Sequence, residues 1–396
     1  MNLSIDRTYL HQTLRRLVQI NSVNPDLVPG SPGEAEVSRF VAKQLSALGL
    51  EVRLHEPRPG RISVVGILPG RGGGPSLMLN AHYDTVGVEG MPDPFSASIR
   101  EGRLYGRGSY DMKASLAACL AAIKALQDAK HRLRGDLMVA AVADEEYASL
   151  GTSDLLQHYS VDGAVVTEPT ELEICLAHKG FIWLEVESQG RAYHGSQFSQ
   201  GIDAIMRMGR FLASLEGLEK ELRARPPHPL LGPPSLHASM IEGGTSLSVY
   251  SASCRLKIER RTVPGETEDQ VRGEIETLLE PLRQADPTFK ASLRTILVRE
   301  PFEVHREAAI VRSVESACRR VLDATPRYCG QNPWMDSALF ASAGIETVVL
   351  GPVGGGAHSD QEWVDLESVE RLAEVLAITA IDYTGSPRKS AKVSRN

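Results

Sequence analysis

The sequence predicts an α/β protein of two domains, one of which has a mixed, largely parallel sheet flanked by helices. Two observations lead to this prediction. Helices and strands alternate from the start of the chain, and a block of different character interrupts the alternation before it resumes towards the C-terminus. The length agrees, because 396 residues exceed one average domain and 42% hydrophobic residues can bury a sizeable core.

The alternating pattern is clearest in the first part of the chain, where apolar residues recur at helical spacing, alternate, or form short apolar runs. The predicted helices there cover 9–20, 33–48 and 113–126, and the predicted strands cover 62–68, 76–80, 136–143 and 164–166. Strands separated by helices are typical of an α/β layer whose sheet is largely parallel.

The middle of the chain reads differently, as a strand, helix, strand and helix interrupted by a proline-rich loop over 225–234. These four elements are predicted over 181–188, 202–221, 252–259 and 267–285. The earlier pattern then returns, with helices over 308–322 and 366–383 and a strand over 347–350. We therefore predict a discontinuous domain of residues 1–179 and 296–396 and an inserted α+β domain of residues 180–295. The polar, basic segment 386–396 is expected to fray.

Charge and composition exclude several function classes. The net charge is −7 and the 43 basic residues are interspersed with 50 acidic ones, so no basic stripe favours nucleic acid or an anionic membrane surface. No segment approaches the roughly 18 apolar residues of a membrane span, and we predict a cytoplasmic protein acting on small molecules. The five cysteines are scattered, which indicates small core residues rather than disulfides or a thiolate zinc site.

Acidic and histidine side chains follow three of the predicted strands. His82 and Asp84 follow the second strand, Glu145 and Glu146 follow the third, and Glu168 follows the fourth. A carboxylate near a histidine can orient the imidazole for metal binding, because an acceptor on one ring nitrogen fixes the tautomer at the other. Each group taken alone also has a structural explanation, since polar residues gather where strands end.

Two further candidates lie in glycine-rich turns. Asp111 follows glycines at 106 and 108 and stands where a helix opens, so a helix N-cap is the alternative explanation for it. His358 follows a run of glycines after the strand that ends at Leu350, and glycines let backbone approach a ligand closely.

The candidates gain weight in combination, because they all follow strands of one predicted sheet, and ligands of α/β sheets gather at that edge. Two histidines with several carboxylates and no cysteine suit zinc, with cobalt or manganese as substitutes. A bridging carboxylate would allow two metal ions about 3.5–4 Å apart. Of the adjacent Glu145 and Glu146, one carboxylate could bind a metal ion while the other is free to take a proton.

At this point the sequence resembles the di-zinc aminoacylase and carboxypeptidase metallopeptidases, a family that includes acetylornithine deacetylase, succinyl-diaminopimelate desuccinylase and glutamate carboxypeptidase. The resemblance spans nearly the whole chain, and five motifs occur in the family's order. They are Ala-His82-Tyr-Asp84-Thr-Val, Gly-Arg-Gly-Ser-Tyr-Asp111-Met-Lys, Asp144-Glu145-Glu146, Thr-Glu168-Pro and Ala-His358-Ser-Asp360. The fold implied is a zinc-aminopeptidase-like catalytic domain with an inserted lid and dimerisation domain.

The resemblance also implies roles for the candidate residues. Asp111 would bridge two zinc ions, with His82 and Glu168 completing one site and Glu146 and His358 the other. Asp84 would orient His82. Glu145 would be the general base that deprotonates the metal-bound water, giving a zinc-bridged hydroxide, and later gives the proton to the leaving amine.

For the substrate, the resemblance implies residues of the inserted domain. His194 would reach the active site of the partner subunit in a homodimer and stabilise the oxyanion there, and Arg261 would bind the substrate carboxylate. Ser248 stands where the family often has asparagine before a Val-Ile-Pro-Ala stretch, so a polar contact from the lid would differ here. Independently of the resemblance, Gly354, Gly355 and Gly356 could supply backbone donors to a substrate carboxylate, and a flexible turn is the alternative explanation for them.

The reaction expected from the resemblance is hydrolysis of the amide bond of an N-acyl amino acid. A dipeptidase or carboxypeptidase activity would use the same metal chemistry and is the first alternative. The second alternative is a non-catalytic scaffold that binds metal or ligand, which the presence of every residue needed for water activation makes the weakest of the three.

Overall fold

The structure, a computed structural model, describes residues 3–322 and 324–387, so most of the segment expected to fray lies outside the described residues. The helices are α1 (Arg7–Gln19), α2 (Ala35–Ala47), α3 (Ala114–Asp128), α4 (Leu150–His158), α5 (Ala204–Ala224), α6 (Glu268–Ala285), α7 (Ala309–Val321), α8 (Ser337–Ser342) and α9 (Leu366–Gly385). The strands are β1 (Glu51–Arg58), β2 (Arg61–Leu68), β3 (Leu77–His82), β4 (Ser98–Arg100), β5 (Arg103–Tyr105), β6 (Leu137–Val142), β7 (Gly163–Val166), β8 (Ile174–His178), β9 (Gly180–Gln189), β10 (Ser235–Gly243), β11 (Ser253–Thr262), β12 (Lys290–Arg299), β13 (Phe302–Glu303), β14 (Tyr328–Gln331), β15 (Glu346–Val349), β16 (Gly354–Gly355) and β17 (Trp363–Asp365).

The chain divides into two compact units. The first contains residues 1–176, 304–329 and 335–396, and the second contains residues 177–303 and 330–334. The first unit is thus built from three separate segments of the chain. Our prediction placed its boundaries after residues 179 and 295.

The main sheet of the first unit has the strand order β1-β2-β6-β3-β7-β15-β8. Its centre is parallel, since β3 pairs in parallel with β6 and β7, and β15 pairs in parallel with β7. The pairings towards its margins, β1 with β2, β2 with β6, and β15 with β8, are antiparallel. The predicted mixed, largely parallel α/β sheet is confirmed.

The central strands are apolar because helices cover the sheet. Every residue of β3 and β7 is buried, as expected for parallel strands with both faces covered. Helix α3 buries all but three of its residues and packs against α1 and α9. A helix that is apolar on nearly all sides lies inside a layer, so the Ala/Leu-rich sequence of α3 accounts for its central position.

A second, smaller sheet of order β16-β17-β5-β4 also belongs to the first unit. Gly355 pairs with Trp363, and Trp363 pairs with Tyr105, all antiparallel. This sheet brings the glycine turn at 354–356 close in the fold to the segment that precedes Asp111.

The second unit contains an antiparallel sheet of order β10-β11-β9-β12 with α5 and α6 packed against it. Its core includes Ile182, Leu184, Phe211 and Ile275. The side chain of Asp203 caps α5, and Thr267 forms a capping box with Gln270 at the start of α6. No helix within residues 3–322 and 324–387 combines the length and the apolar character needed to cross a membrane.

Candidate metal centre

Three neighbouring parallel strands deliver candidate residues to one edge of the main sheet. His82 is the last residue of β3 and pairs with Val142, the last residue of β6. Glu145 and Glu146 lie three and four residues beyond the end of β6, and Glu168 lies two residues beyond the end of β7. Because the carboxyl ends of parallel strands meet at the same edge, residues far apart in the sequence converge here.

Asp111 comes to the same edge in an irregular turn, Ser109–Lys113, and not in a regular helix. Glu362 fixes this turn, because its carboxylate accepts hydrogen bonds from the backbone N–H groups of Tyr110 at 2.8 Å and Asp111 at 3.0 Å. The same carboxylate accepts from the N–H of Gly108 at 3.0 Å and the guanidinium of Arg107 at 2.7 Å. The Asp111 side chain is thereby directed towards the strand ends.

The alternative explanation of Asp111 as an N-cap is wrong. Helix α3 begins at Ala114 with Lys113 at the cap position, and no side chain makes a capping hydrogen bond there. Asp111 has an extended backbone, with φ −114° and ψ 96°, and its carboxylate lies against two imidazoles instead.

One group of metal-ligand atoms is formed by His82, Asp111 and Glu168. The His82 Nε2 atom lies 3.0 Å from Asp111 Oδ1 and 3.5 Å from Glu168 Oε1. His82 is buried, with 1% of its side chain exposed. Its other ring nitrogen, Nδ1, lies 3.1 Å from the backbone carbonyl oxygen of Asp84. Since a carbonyl can only accept, Nδ1 carries the proton of the neutral ring and Nε2 presents its lone pair to the cluster.

A second group is formed by Asp111, Glu146 and His358. The His358 Nε2 atom lies 3.3 Å from Asp111 Oδ2 and 3.0 Å from Glu146 Oε2. Asp111 therefore directs one carboxylate oxygen to each group. His358 is the most exposed of these side chains, at 55%, so this side of the cluster is open to solvent.

Glu145 lies beside the two groups without belonging to either. Its Oε2 atom is 3.9 Å from His82 Nε2. The backbone N–H groups of Glu145 and Glu146 donate to the two carboxylate oxygens of Asp84, at 3.1 and 3.3 Å. Asp84 Oδ1 in turn lies 3.6 Å from His82 Nδ1. Asp84 thus connects the acidic turn to His82 from behind the cluster.

The cluster contains more carboxylates than imidazoles, so its side chains carry an excess of negative charge when the carboxylates are ionised. Burial raises the pKa of Glu145 and of Glu168 well above the ordinary range; the carboxylate of Glu168 raises the pKa of Glu145 further, and the carboxylate of Asp111 raises that of Glu168. Burial lowers the pKa of His82, but the surrounding carboxylates, Glu168 first, outweigh this and leave it well above its usual value. Hydrogen bonds to Asp111 and Glu146 raise the pKa of His358 to about 10. Such a set of carboxylates around two imidazoles favours a positive charge placed among them.

One close backbone approach shapes the Glu168 side of the cluster. A Cβ atom added to Gly351 would lie 2.1 Å from the carbonyl oxygen of Glu168. Only glycine allows the segment after β15 to pass so near the segment that carries Glu168.

The predicted substrate residues Arg261, Ser248 and His194 lie in the second unit. The Arg261 Nε atom donates to Glu259 Oε1 at 2.7 Å, and its guanidinium lies over the ring of Phe181. His194 is exposed, and its Nδ1 atom lies 2.8 Å from the hydroxyl of Ser196. The remaining predicted residue, Gly355, belongs to the first unit and lies against the indole ring of Trp363.

Two residues that support the cluster were not among the sequence predictions. Glu362 organises the turn around Asp111, and Asn24 donates from Nδ2 to Asp84 at 2.8 Å. These hydrogen bonds join residues 251 and 60 positions apart. The only sequence signal was the place of Glu362 four residues after His358, in a polar turn.

The chain matches the model of Peptidase family M20/M25/M40 over residues 78–382. It is 29% identical over 391 residues to acetylornithine deacetylase of Myxococcus xanthus, an alignment that covers 95% of this chain and 98% of the relative. It is 28% identical over 373 residues to N-formyl-4-amino-5-aminomethyl-2-methylpyrimidine deformylase of Bacillus subtilis, covering 86% of this chain and 87% of the relative.

The fold is similar to solved structures at lower sequence identity. Aminopeptidase PepT from Bacillus cereus superposes with a TM-score of 0.79 at 19% identity, covering 96% of this chain and all of that one. The YXEP protein of Bacillus subtilis, described as a dinuclear metal-binding peptidase, superposes with a TM-score of 0.75 at 16% identity, covering 96% and 98%. These structures share the fold of this chain.

Proposed function

The chain belongs to Peptidase family M20/M25/M40 and is a hydrolase acting on C–N bonds, and from this premise we propose that it removes the acyl group from a small N-acyl amino acid. One observation carries the proposal. Two groups of metal-ligand atoms share Asp111, and the carboxylate of Glu145 lies beside them without belonging to either. Two ligand groups and a separate carboxylate fit metal-assisted hydrolysis with a general base.

The donor set fits two divalent metal ions, and we propose zinc, with cobalt or manganese as substitutes. Imidazole and carboxylate donors without a thiolate suit these metals. His82, Asp111 and Glu168 would hold one ion, and Asp111, Glu146 and His358 would hold the other. The ions would supply Lewis acidity, which lowers the pKa of water and polarises the substrate carbonyl.

Glu145 is the proposed general base. It would take a proton from the attacking water and deliver that proton to the nitrogen of the leaving amine. Its position supports this role, because the turn that carries it is held through its own backbone N–H by Asp84. Asp84 also faces His82 Nδ1, so one carboxylate positions both the base and a proposed metal ligand.

The relatives favour an acyl group as the part removed. Acetylornithine deacetylase and the pyrimidine deformylase are both named for removing an acyl group from nitrogen. We propose that Arg261 binds the substrate carboxylate, since a guanidinium matches a carboxylate with two parallel hydrogen bonds. Ser248 and the backbone of Gly355 would contribute the remaining polar contacts.

The test is a substrate panel combined with a single substitution. Wild-type protein loaded with zinc is assayed against N-acetyl, N-formyl, N-succinyl and N-carbamoyl amino acids and against dipeptides. We expect hydrolysis of at least one acyl amino acid, and we expect Glu145→Gln to retain both metal ions while its kcat falls by about 10² to 10⁴. The control is Glu367→Gln, which removes an exposed carboxylate paired with Arg371 and should leave kcat unchanged.

Three outcomes would contradict parts of the proposal. Near-normal turnover by Glu145→Gln would reject its role as base. Faster cleavage of a dipeptide than of every acyl amino acid would favour the peptidase alternative. A metal-loaded protein that hydrolyses nothing on the panel would favour the non-catalytic scaffold.

We further propose that the protein works in the cytoplasm as a homodimer in which His194 acts in the active site of the partner subunit. A mixing experiment tests whether His194 acts in the active site of the partner subunit. His194→Ala and Glu145→Gln should each have strongly reduced activity alone, and a mixed dimer should regain activity because one of its active sites would combine intact Glu145 with intact His194. Failure of the mixture to regain activity, when mixed dimers are shown to form, would contradict the arrangement.

A further inference from the structure

A third group of metal-ligand atoms lies apart from the residues of the candidate metal centre. It consists of His55 on β1 and of Asp154 and His158 on α4. The ligand atoms of these three side chains all lie within 4.8 Å of one another. Asp154 and His158 are four residues apart, so one helical face presents both towards the strand.

The separations between these atoms suit a shared metal ion. His55 Nδ1 lies 3.4 Å from Asp154 Oδ2, and His158 Nε2 lies 3.5 Å from Asp154 Oδ1. Both distances are longer than the 2.7–3.2 Å typical of a nitrogen–oxygen hydrogen bond. Each distance, taken to its own oxygen of Asp154, is close to the separation of two ligand atoms in a tetrahedral zinc site, roughly 3.4 Å for metal–ligand bonds of about 2.0–2.1 Å.

The far side of the His55 ring is also arranged as in a metal site. His55 Nε2 lies 2.9 Å from the hydroxyl of Tyr159, and the two rings meet edge to face. A ring proton on Nε2 that is donated to this hydroxyl leaves the lone pair on Nδ1, the atom that faces Asp154. Metal-bound histidines regularly have such a partner on the second nitrogen, which fixes the tautomer and orientation of the ring.

The exposure of the three side chains would let an ion enter from solvent. His55 and Asp154 are mostly buried, with 15% and 19% of their side chains exposed, whereas His158 is 51% exposed. Two imidazoles and one carboxylate with an open fourth position form a donor set suited to zinc and neighbouring divalent metals.

We propose that His55, Asp154 and His158 form a further divalent-metal site, of the zinc class, that ties α4 to β1. Bound metal would link α4 and β1 directly through these three side chains. An ion bound by the folded state alone raises its stability in proportion to the logarithm of the free metal concentration. The site would therefore stabilise this part of the first unit when zinc is present.

The experiment counts zinc bound by the full-length protein and follows its thermal unfolding as free zinc is raised. The variants are His158→Gln and Asp154→Asn, and the control is His237→Gln, which changes an exposed histidine on β10. We expect wild type and control to bind one more zinc ion per chain than either variant, and their Tm to rise further with zinc. Because the count is a difference between proteins, it does not depend on whether the candidate metal centre fills.

A second variant tests the geometry without removing a ligand. Tyr159→Phe keeps the three donors and removes the hydroxyl beside His55, so we expect the additional ion to bind about tenfold more weakly. Equal zinc counts and equal affinities in wild type, His158→Gln and Asp154→Asn would overturn the proposal. A Tyr159→Phe protein that binds the additional ion as tightly as wild type would overturn the assigned role of the hydroxyl.

Discussion

Replacing Asn24 with alanine should lower both the stability of the protein and the affinity of the metal centre for zinc. Asn24 is fully buried, and its Nδ2 atom donates to Asp84 Oδ2 at 2.8 Å and to Asp144 Oδ1 at 3.0 Å. Its side-chain oxygen accepts from the guanidinium of Arg61 at 2.9 Å. The Asn24 amide thus bridges the buried carboxylates of Asp84 and Asp144. Asp84 in turn faces His82.

The size of the effect follows from these contacts. A hydrogen bond to a charged group contributes about 1.5–3 kcal/mol, so losing the two bonds from Nδ2 alone should lower the free energy of unfolding by about 3–6 kcal/mol, and loss of the bond from Arg61 adds to this. Loss of the groups that orient a metal-ligating histidine typically weakens metal binding by 10- to 100-fold. Because Asn24 acts on His82 through Asp84, we expect the lower end, about tenfold.

The assays are urea unfolding and competition for zinc with a chelator of known affinity. Asn21→Ala is the matched control, because it lies in the same segment and its side chain accepts one hydrogen bond, from the backbone N–H of Val23 at 3.0 Å. The control should lose about 1 kcal/mol and keep its zinc affinity. If Asn24→Ala matched the control in both measurements, the support assigned to Asn24 would be refuted.

Three further predictions concern buried groups of the first unit. Burial, with the nearby carboxylate of Asp84 adding to it, raises the pKa of Glu34 to about 8 from 4.5. The wild type should therefore lose stability relative to Glu34→Gln as the pH rises from about 4.5 to 8, by at most about 5 kcal/mol in urea unfolding. Gly351→Ala should displace the Glu168 backbone and reduce both zinc affinity and kcat. Burial raises the pKa of the Cys318 thiol to about 12, so a thiol reagent at pH 8 should label the half-buried Cys329 first, as peptide mass spectrometry would show.

Each of these predictions has a contradicting result. A stability difference between wild type and Glu34→Gln that does not change between pH 5 and 8.5 would contradict the first. For the second, Gly209→Ala in α5 is the control, since an added Cβ there meets nothing within 4 Å and should stabilise the helix by about 0.5–1 kcal/mol; full activity of Gly351→Ala would count against the close approach. Labelling of native Cys318 before Cys329 would contradict the third.

Several apolar elements of the fold could be predicted from the sequence, although the buried strand β8 was missed, and the exposed strand β1 could not be predicted. Strand β6 lies inside the predicted segment 136–143, because a continuous apolar run marks a strand that is covered on both faces. Strand β1 has no such pattern, since it is polar and exposed along most of its length. It exists because β2 offers a pairing edge, which is a tertiary condition that a local pattern does not contain.

The convergence of the candidate site has the same basis. His82, Glu146 and Glu168 follow strands that the alternating pattern assigns to one parallel sheet, and the structure brings them together with Asp111 and His358. The supporting contacts of Glu362 and Asn24 depend on loop conformations instead, and no periodicity describes those. Their partners lie in distant segments, so only the folded chain shows them.

The second unit is where the sequence is least informative about function. The roles of Arg261, Ser248 and His194 come from the family resemblance, and these roles stay predictions. In the structure the Arg261 Nε atom donates to Glu259 Oε1. A substrate carboxylate would therefore compete with the ion pair between Arg261 and Glu259.

The most direct test of the metal centre is anomalous X-ray scattering at the zinc edge from crystals of the zinc-loaded protein. We expect one peak within bonding distance of each carboxylate oxygen of Asp111, the first also bonded to His82 and Glu168 and the second to Glu146 and His358. A single peak at this place, or zinc bound elsewhere with Asp111 left without it, would contradict the two-metal account.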